Sequence, residues 1–154
     1  MSNDTSMDRI IETVRGFDGV LVLEPRPGDG TPEIAWGDAF FYYAPDGVAP
    51  TTVQPYGTVV TKDYPDDTSC DLDRLDRWRV NVHVGRDRSR ELVGGRGPAD
   101  GVRADELLAH PVYGDHGWVC VVNPADRTTD AVLALLREAH DDARQRYERR
   151  RALG

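Results

Sequence analysis

Phe40, Phe41, Tyr42 and Tyr43 follow one another in the segment WGDAFFYYAPDG, and no other feature of the chain constrains its fold as much. Successive side chains of a strand point to opposite faces, so four adjacent large aromatics need cover on both sides of their sheet. The turn chemistry of PDG, Pro45 to Gly47, limits this strand to Ala39–Ala44. One face is expected to meet helices, and the other a ligand or a second copy of the chain.

The flanking sequence supplies the helices. In DRIIETVRG, Ile10, Ile11 and Val14 fall at helical spacing before a glycine stop. From Thr129 onward, Val132, Leu135, Leu136, Ala139, Ala143 and Tyr147 repeat with the same period, so a long C-terminal helix is predicted to cross the sheet. Strands are predicted at Val20 to Glu24, near Glu33 to Trp36, at Tyr56 to Tyr64 and at Trp118 to Asn123. In RWRVNVHVG the alternation is cleanest: Val80, Val82 and Val84 face one way, and Arg79, Asn81 and His83 the other. RDRSRELVGG reads as a short helix ended by glycine, GGRGPADG as a surface loop lacking the lysine and hydroxyl of a phosphate-binding loop, and ADELLAH as a further helical turn. The acidic segment PDDTSCDLDRLD reads as a solvated connection.

This order gives an α+β fold, a mostly antiparallel sheet with the N-terminal and long C-terminal helices packed on one face. At 154 residues the chain fits one domain, 1–154, with an ordered core over about residues 8–147. The N-terminus has neither a signal-peptide pattern nor a membrane span, which predicts a cytoplasmic protein with Cys70 and Cys120 as reduced thiols. A net charge of -8 argues against general binding to nucleic acid or anionic membrane. Lys62 is the only lysine among many arginines, a bias that suits a high-GC genome or a high-salt habitat.

WGDAFFYYAPDG, YGTVVTKDYP, NVHVGRDR and HPVYGDHGWVCVVNP, in this order before a terminal helix, resemble a family of short bacterial and archaeal proteins of unknown function. The likeness covers Asp8 to Tyr147. More distantly the pattern resembles the MmcQ/YjbR-like proteins, whose fold is of the CyaY (frataxin-like) type. What the resemblance implies is a fold, with no reaction attached.

Trp36, Asp38, Lys62, Asp63, Arg79, Asn81, His83, His110 and Trp118 lie on or beside strands expected to be neighbours. Together they form a candidate cleft for a small polar or anionic ligand, or a partner peptide, on the face away from the helices. Trp36 and Trp118 would be its walls, Arg79 and Lys62 its anion contacts, and Asp38 and His110 its orienting groups. The competing structural reading puts both tryptophans in the core and pairs Asp38 with Arg79. A small enzyme using Asp38 or His110 as acid or base, and nucleic-acid binding through the arginine-rich C-terminal helix, are the functional alternatives. His110, Asp115 and His116 in HPVYGDH match no metal signature, so no metal or other cofactor is expected.

Overall fold

The computed structural model describes residues 3–74, 76–94 and 103–153. Helix α1 (Asn3–Arg15) leads into strands β1 (Val20–Leu23), β2 (Ala39–Tyr43), β3 (Gly57–Val60) and β4 (Arg79–His83). Helix α2 (Arg86–Val93), the short strand β5 (Leu108–Ala109), strand β6 (Trp118–Val122) and the long helix α3 (Thr129–Leu153) follow. The strands form one six-stranded sheet in the order β1-β2-β3-β4-β6-β5, and every pairing is antiparallel. This is the α+β architecture expected from the sequence.

The register sorts the side chains into two faces. Val20, Val22, Phe41, Val59, Val80, Val82, Val119 and Val121 belong to one core with Ile10, Ile11 and Val14 of α1, Val93 of α2, and Val132, Leu135, Leu136 and Ala139 of α3. All three helices therefore pack on one side of the sheet. Gly57 lets α3 come close: a Cβ there would lie 2.8 Å from Leu136 Cδ2 and 3.2 Å from Phe41 Cδ2. A polar contact crosses this interface, where His140 of α3 meets the Tyr56 hydroxyl at 3.0 Å through Nδ1 and the Asp18 carbonyl at 2.8 Å through Nε2. Since a carbonyl only accepts, Nε2 carries the proton and Nδ1 accepts from the tyrosine.

Three expectations need correction. Glu33–Ala35 is a 3-10 turn and not a strand, because its Ala35, Trp36 and Asp38 amides bond locally to the carbonyls of Pro32, Glu33 and Ala35. ADELLAH contains β5 where a helical turn was predicted. Asp105 there takes a left-handed φ of 58°, and its carboxylate accepts from the Ala125, Arg127 and Thr128 amides ahead of α3. The acidic segment is solvated only in part: Asp67, Cys70 and Leu72 are buried, the latter two packed with Val60 and Val122 beyond the main core, while Asp66, Asp71 and Asp73 are exposed. The predicted stop of α2 is observed at Gly94, which has the left-handed backbone of a helix cap. Most of the GGRGPADG loop lies outside the described residues.

Candidate functional site

The outer face of the sheet, opposite the helices, is built from cross-strand rows. Phe40 lies opposite Thr58, Thr58 opposite Asn81, and Asn81 opposite Cys120. The next rows pair Val60 with Arg79 and Arg79 with Val122, and on the other side His83 with Trp118. Three segments rise around this floor: the 3-10 turn with Pro32 and Ile34, the stretch Tyr64–Asp67, and His110–Tyr113. They enclose a cleft of about 470 Å³. Phe40, Thr58, Val60, Asn81 and Trp118 contribute to its base, and Ile34, Tyr64, Asp66 and Tyr113 to its walls. Ile34 and Tyr113 keep 38% and 44% of their surface exposed, so the cleft has an apolar rim.

One end of the cleft is closed by a buried polar network. Arg79, 1% exposed, donates from Nη1 and Nη2 to the two carboxylate oxygens of Asp67 at 3.0 and 2.5 Å. Its Nε donates to Asn81 Oδ1 at 2.7 Å, and Nη1 also reaches Cys70 Sγ at 3.4 Å. Asn81 in turn donates to Thr58 Oγ1 at 2.9 Å. The turn that carries Asp67 is fixed by paired backbone hydrogen bonds with Tyr64, of 3.2 and 2.9 Å. Burial opposes the Asp67 charge, yet the hydrogen bonds and charge of Arg79 hold this carboxyl below its usual range. Burial likewise opposes the Arg79 charge, and Asp67 outweighs it to keep the guanidinium protonated.

His110 completes the network as a neutral ring. Its Nδ1 accepts the backbone amides of Val112 and Tyr113, each at 3.1 Å, which leaves the proton on Nε2. Nε2 lies 3.6 Å from Asp67 Oδ2 and 3.1 Å from Arg79 Nη2. Burial, assisted by the Arg79 charge, lowers the His110 pKa to about 4. Beneath Arg79 lie two free, buried thiols, Cys70 and Cys120. A hydrogen bond from Cys120, together with the nearby guanidinium, lowers the Cys70 pKa to about 6, while the same contact and burial push the Cys120 thiol up.

Of the residues singled out in the sequence, Arg79, Asn81, His110 and Trp118 meet at this cleft. Trp36, Asp38 and Lys62 form a separate cluster beside it. Asp38, 1% exposed, accepts at Oδ1 from the Thr61 amide at 2.8 Å, the Thr61 hydroxyl at 2.7 Å and Lys62 Nζ at 2.9 Å. Its Oδ2 accepts from the Tyr64 hydroxyl, which links this cluster to the cleft wall. Lys62 Nζ also donates to the Trp36 carbonyl at 2.9 Å, and the Trp36 indole donates to the Thr31 carbonyl at 3.3 Å.

The expected pairing of Asp38 with Arg79 is thus replaced by two independent ion pairs, Asp38 with Lys62 and Asp67 with Arg79. Both predicted anion contacts already hold carboxylates, Arg79 in a buried pair and Lys62 in a half-buried one. Asp63 accepts the Leu72 amide at 2.8 Å within the acidic loop, and His83 packs its ring 5.4 Å from that of Trp118. Among the described residues no group of three His, Cys, Asp or Glu side chains gathers to hold a metal, and no helix is long and apolar enough to cross a membrane. The arginine-rich end of α3 lies with Tyr43 and Tyr147 on the helix side of the sheet, away from the cleft.

Asp66, Asp67, Tyr64 and Tyr113 were missed as site residues. A signal was present in TSCDL, where Cys70 and Leu72 are apolar residues in an otherwise acidic stretch and mark where the loop turns inward.

A family model of unknown function, DUF6194, matches residues 5–152. The chain belongs to that family. No curated protein and no solved structure matches it. The DUF6194 match spans both terminal helices and the whole sheet, so the cleft and its network lie within the family's domain.

Proposed function

We propose that this member of DUF6194 is a non-enzymatic binding module that holds a small ligand with an apolar or aromatic body in the cleft on the outer sheet face. One observation carries the reading. The cleft is open and rimmed by Ile34 and Tyr113, while the polar groups at its closed end, Arg79, Asp67, Asn81 and His110, are paired with one another. A pocket that is preformed, largely apolar and polar only at one fixed end suits retention of a ligand.

The enzymatic alternative built on Asp38 or His110 needs one of them to offer a free atom to the cleft. Asp38 has both oxygens engaged outside it, and His110 has Nδ1 tied to two amides and Nε2 turned to Asp67. The anionic ligand expected from the sequence loses support for a similar reason, because Arg79 and Lys62 already face carboxylates. The distant likeness to MmcQ/YjbR-like proteins and a cytoplasmic location belong to this proposal and are not grounds for it.

The test is thermal unfolding of the purified protein across a library of small aromatic and aliphatic compounds, because a ligand that binds the folded state raises the melting temperature by mass action. Stabilising hits that disappear in Ile34→Asp, a change at the rim that leaves the core intact, are the expected outcome. No hits, with a melting temperature that rises with protein concentration, would instead assign the face to a second copy of the chain.

A further inference from the structure

Within that reading, and resting on it, we infer that the ligand is an organic cation: an amine or quaternary ammonium on an aromatic or aliphatic body, with its charge near Asp66. Three observations on the cleft converge on this chemistry.

The first is the balance of charge. Among the described residues, two carboxylates, Asp66 and Asp67, and one guanidinium, Arg79, border the cleft. Asp67 is consumed by Arg79, and His110 is neutral, which leaves one uncompensated negative charge. That charge is Asp66, which is exposed and, among the described residues, forms no ion pair or hydrogen bond. Its field reaches the cleft, as it acts on the His110 ring.

The second is the wall chemistry. Phe40, Tyr64, Tyr113 and Trp118 all contribute to the cleft, and aromatic faces carry negative quadrupole charge that attracts cations and repels anions. Tyr64 already receives one cation, with Lys62 Nζ 6.0 Å from its ring centroid.

The third is the lack, among the described residues, of free cationic donors for an anion in the cleft. Arg79 points its N–H groups at Asp67, Asn81 and Cys70, and Lys62 is held by Asp38 and the Trp36 carbonyl. A carboxylate or phosphate entering the cleft would be desolvated beside Asp66 with no unpaired cation among the described residues that line it. The net charge of -8 adds a long-range field that favours the approach of cations.

Matched probes separate charge from body. Phenethylammonium, 2-phenylethanol and phenylpropionate share the aromatic ring, and their affinities are read by titration of backbone amide NMR signals at low ionic strength. The ammonium is expected to bind about tenfold more tightly than the alcohol, and the carboxylate most weakly. Asp66→Asn should remove that preference, bringing the ammonium's affinity to that of the alcohol measured on the same variant. Equal binding of ammonium and alcohol by the unaltered chain would overturn the cation inference while leaving the binding module intact. Tightest binding by the carboxylate would overturn it too. Failure of all three probes, and of their indolyl and cyclohexyl counterparts, would overturn both the inference and the function beneath it.

Discussion

At the scale of single residues, the neutral His110 ring has a consequence for stability. The free imidazole takes up its proton at an ordinary pKa of 6.5, and the folded site holds that value down to about 4. Between these values the unfolded chain binds the proton and the folded chain does not, so stability falls as pH drops from 6.5 toward 4. Burial lowers His83 and His140 as well, which adds to the slope in the same direction. His110→Gln should make the slope of unfolding free energy against pH in this window shallower by up to roughly 1.4 kcal/mol per pH unit. Denaturant unfolding at several pH values measures it, and an unchanged slope would mean that His110 titrates normally. The strand alternation made half of this site legible, since it put Arg79 and Asn81 on the outer face. It did not reveal the partner of Arg79, because Asp67 stands among many acidic residues whose local sequence resembles any solvated loop. Only the inward turn at Cys70 and Leu72 buries it.

At the scale of elements, regular periodicity was the legible part. The helical stripe of α3, the alternation of β4 and the glycine stop of α2 each follow from side chains that bury one face. The segments around the cleft follow other rules. The 3-10 turn at Glu33–Ala35 and the Asp105 brace before α3 are set by local hydrogen bonds, which leave no repeating apolar pattern to read. The docking of α3 on β3 gives a direct test at this scale. Gly57→Ala should destabilise the protein by about 1–3 kcal/mol, because the added methyl meets Leu136 and Phe41 in a filled core. The denaturation midpoint should fall with no change in the m-value. A neutral substitution would show that α3 does not press on β3 at this position.

At the scale of the whole molecule, the double-sided aromatic strand is answered by an asymmetric sandwich. Phe41 and Tyr43 face the helices, where Tyr43 packs edge-on against Tyr147 at 5.2 Å, while Phe40 faces the cleft. Three loops that are distant in sequence cover part of the outer face and leave about 470 Å³ open between them. The protein's three tryptophans report on separate environments: Trp118 lines the cleft, Trp78 belongs to the main core, and Trp36 lies in the neighbouring Asp38 cluster. The measurement that tests the central claim most directly is fluorine NMR of protein labelled with 5-fluorotryptophan, titrated with small aromatic compounds. The account predicts that the Trp118 resonance shifts saturably while those of Trp36 and Trp78 stay in place. No shift at Trp118, or equal shifts at all three, would contradict a ligand-binding cleft on this face.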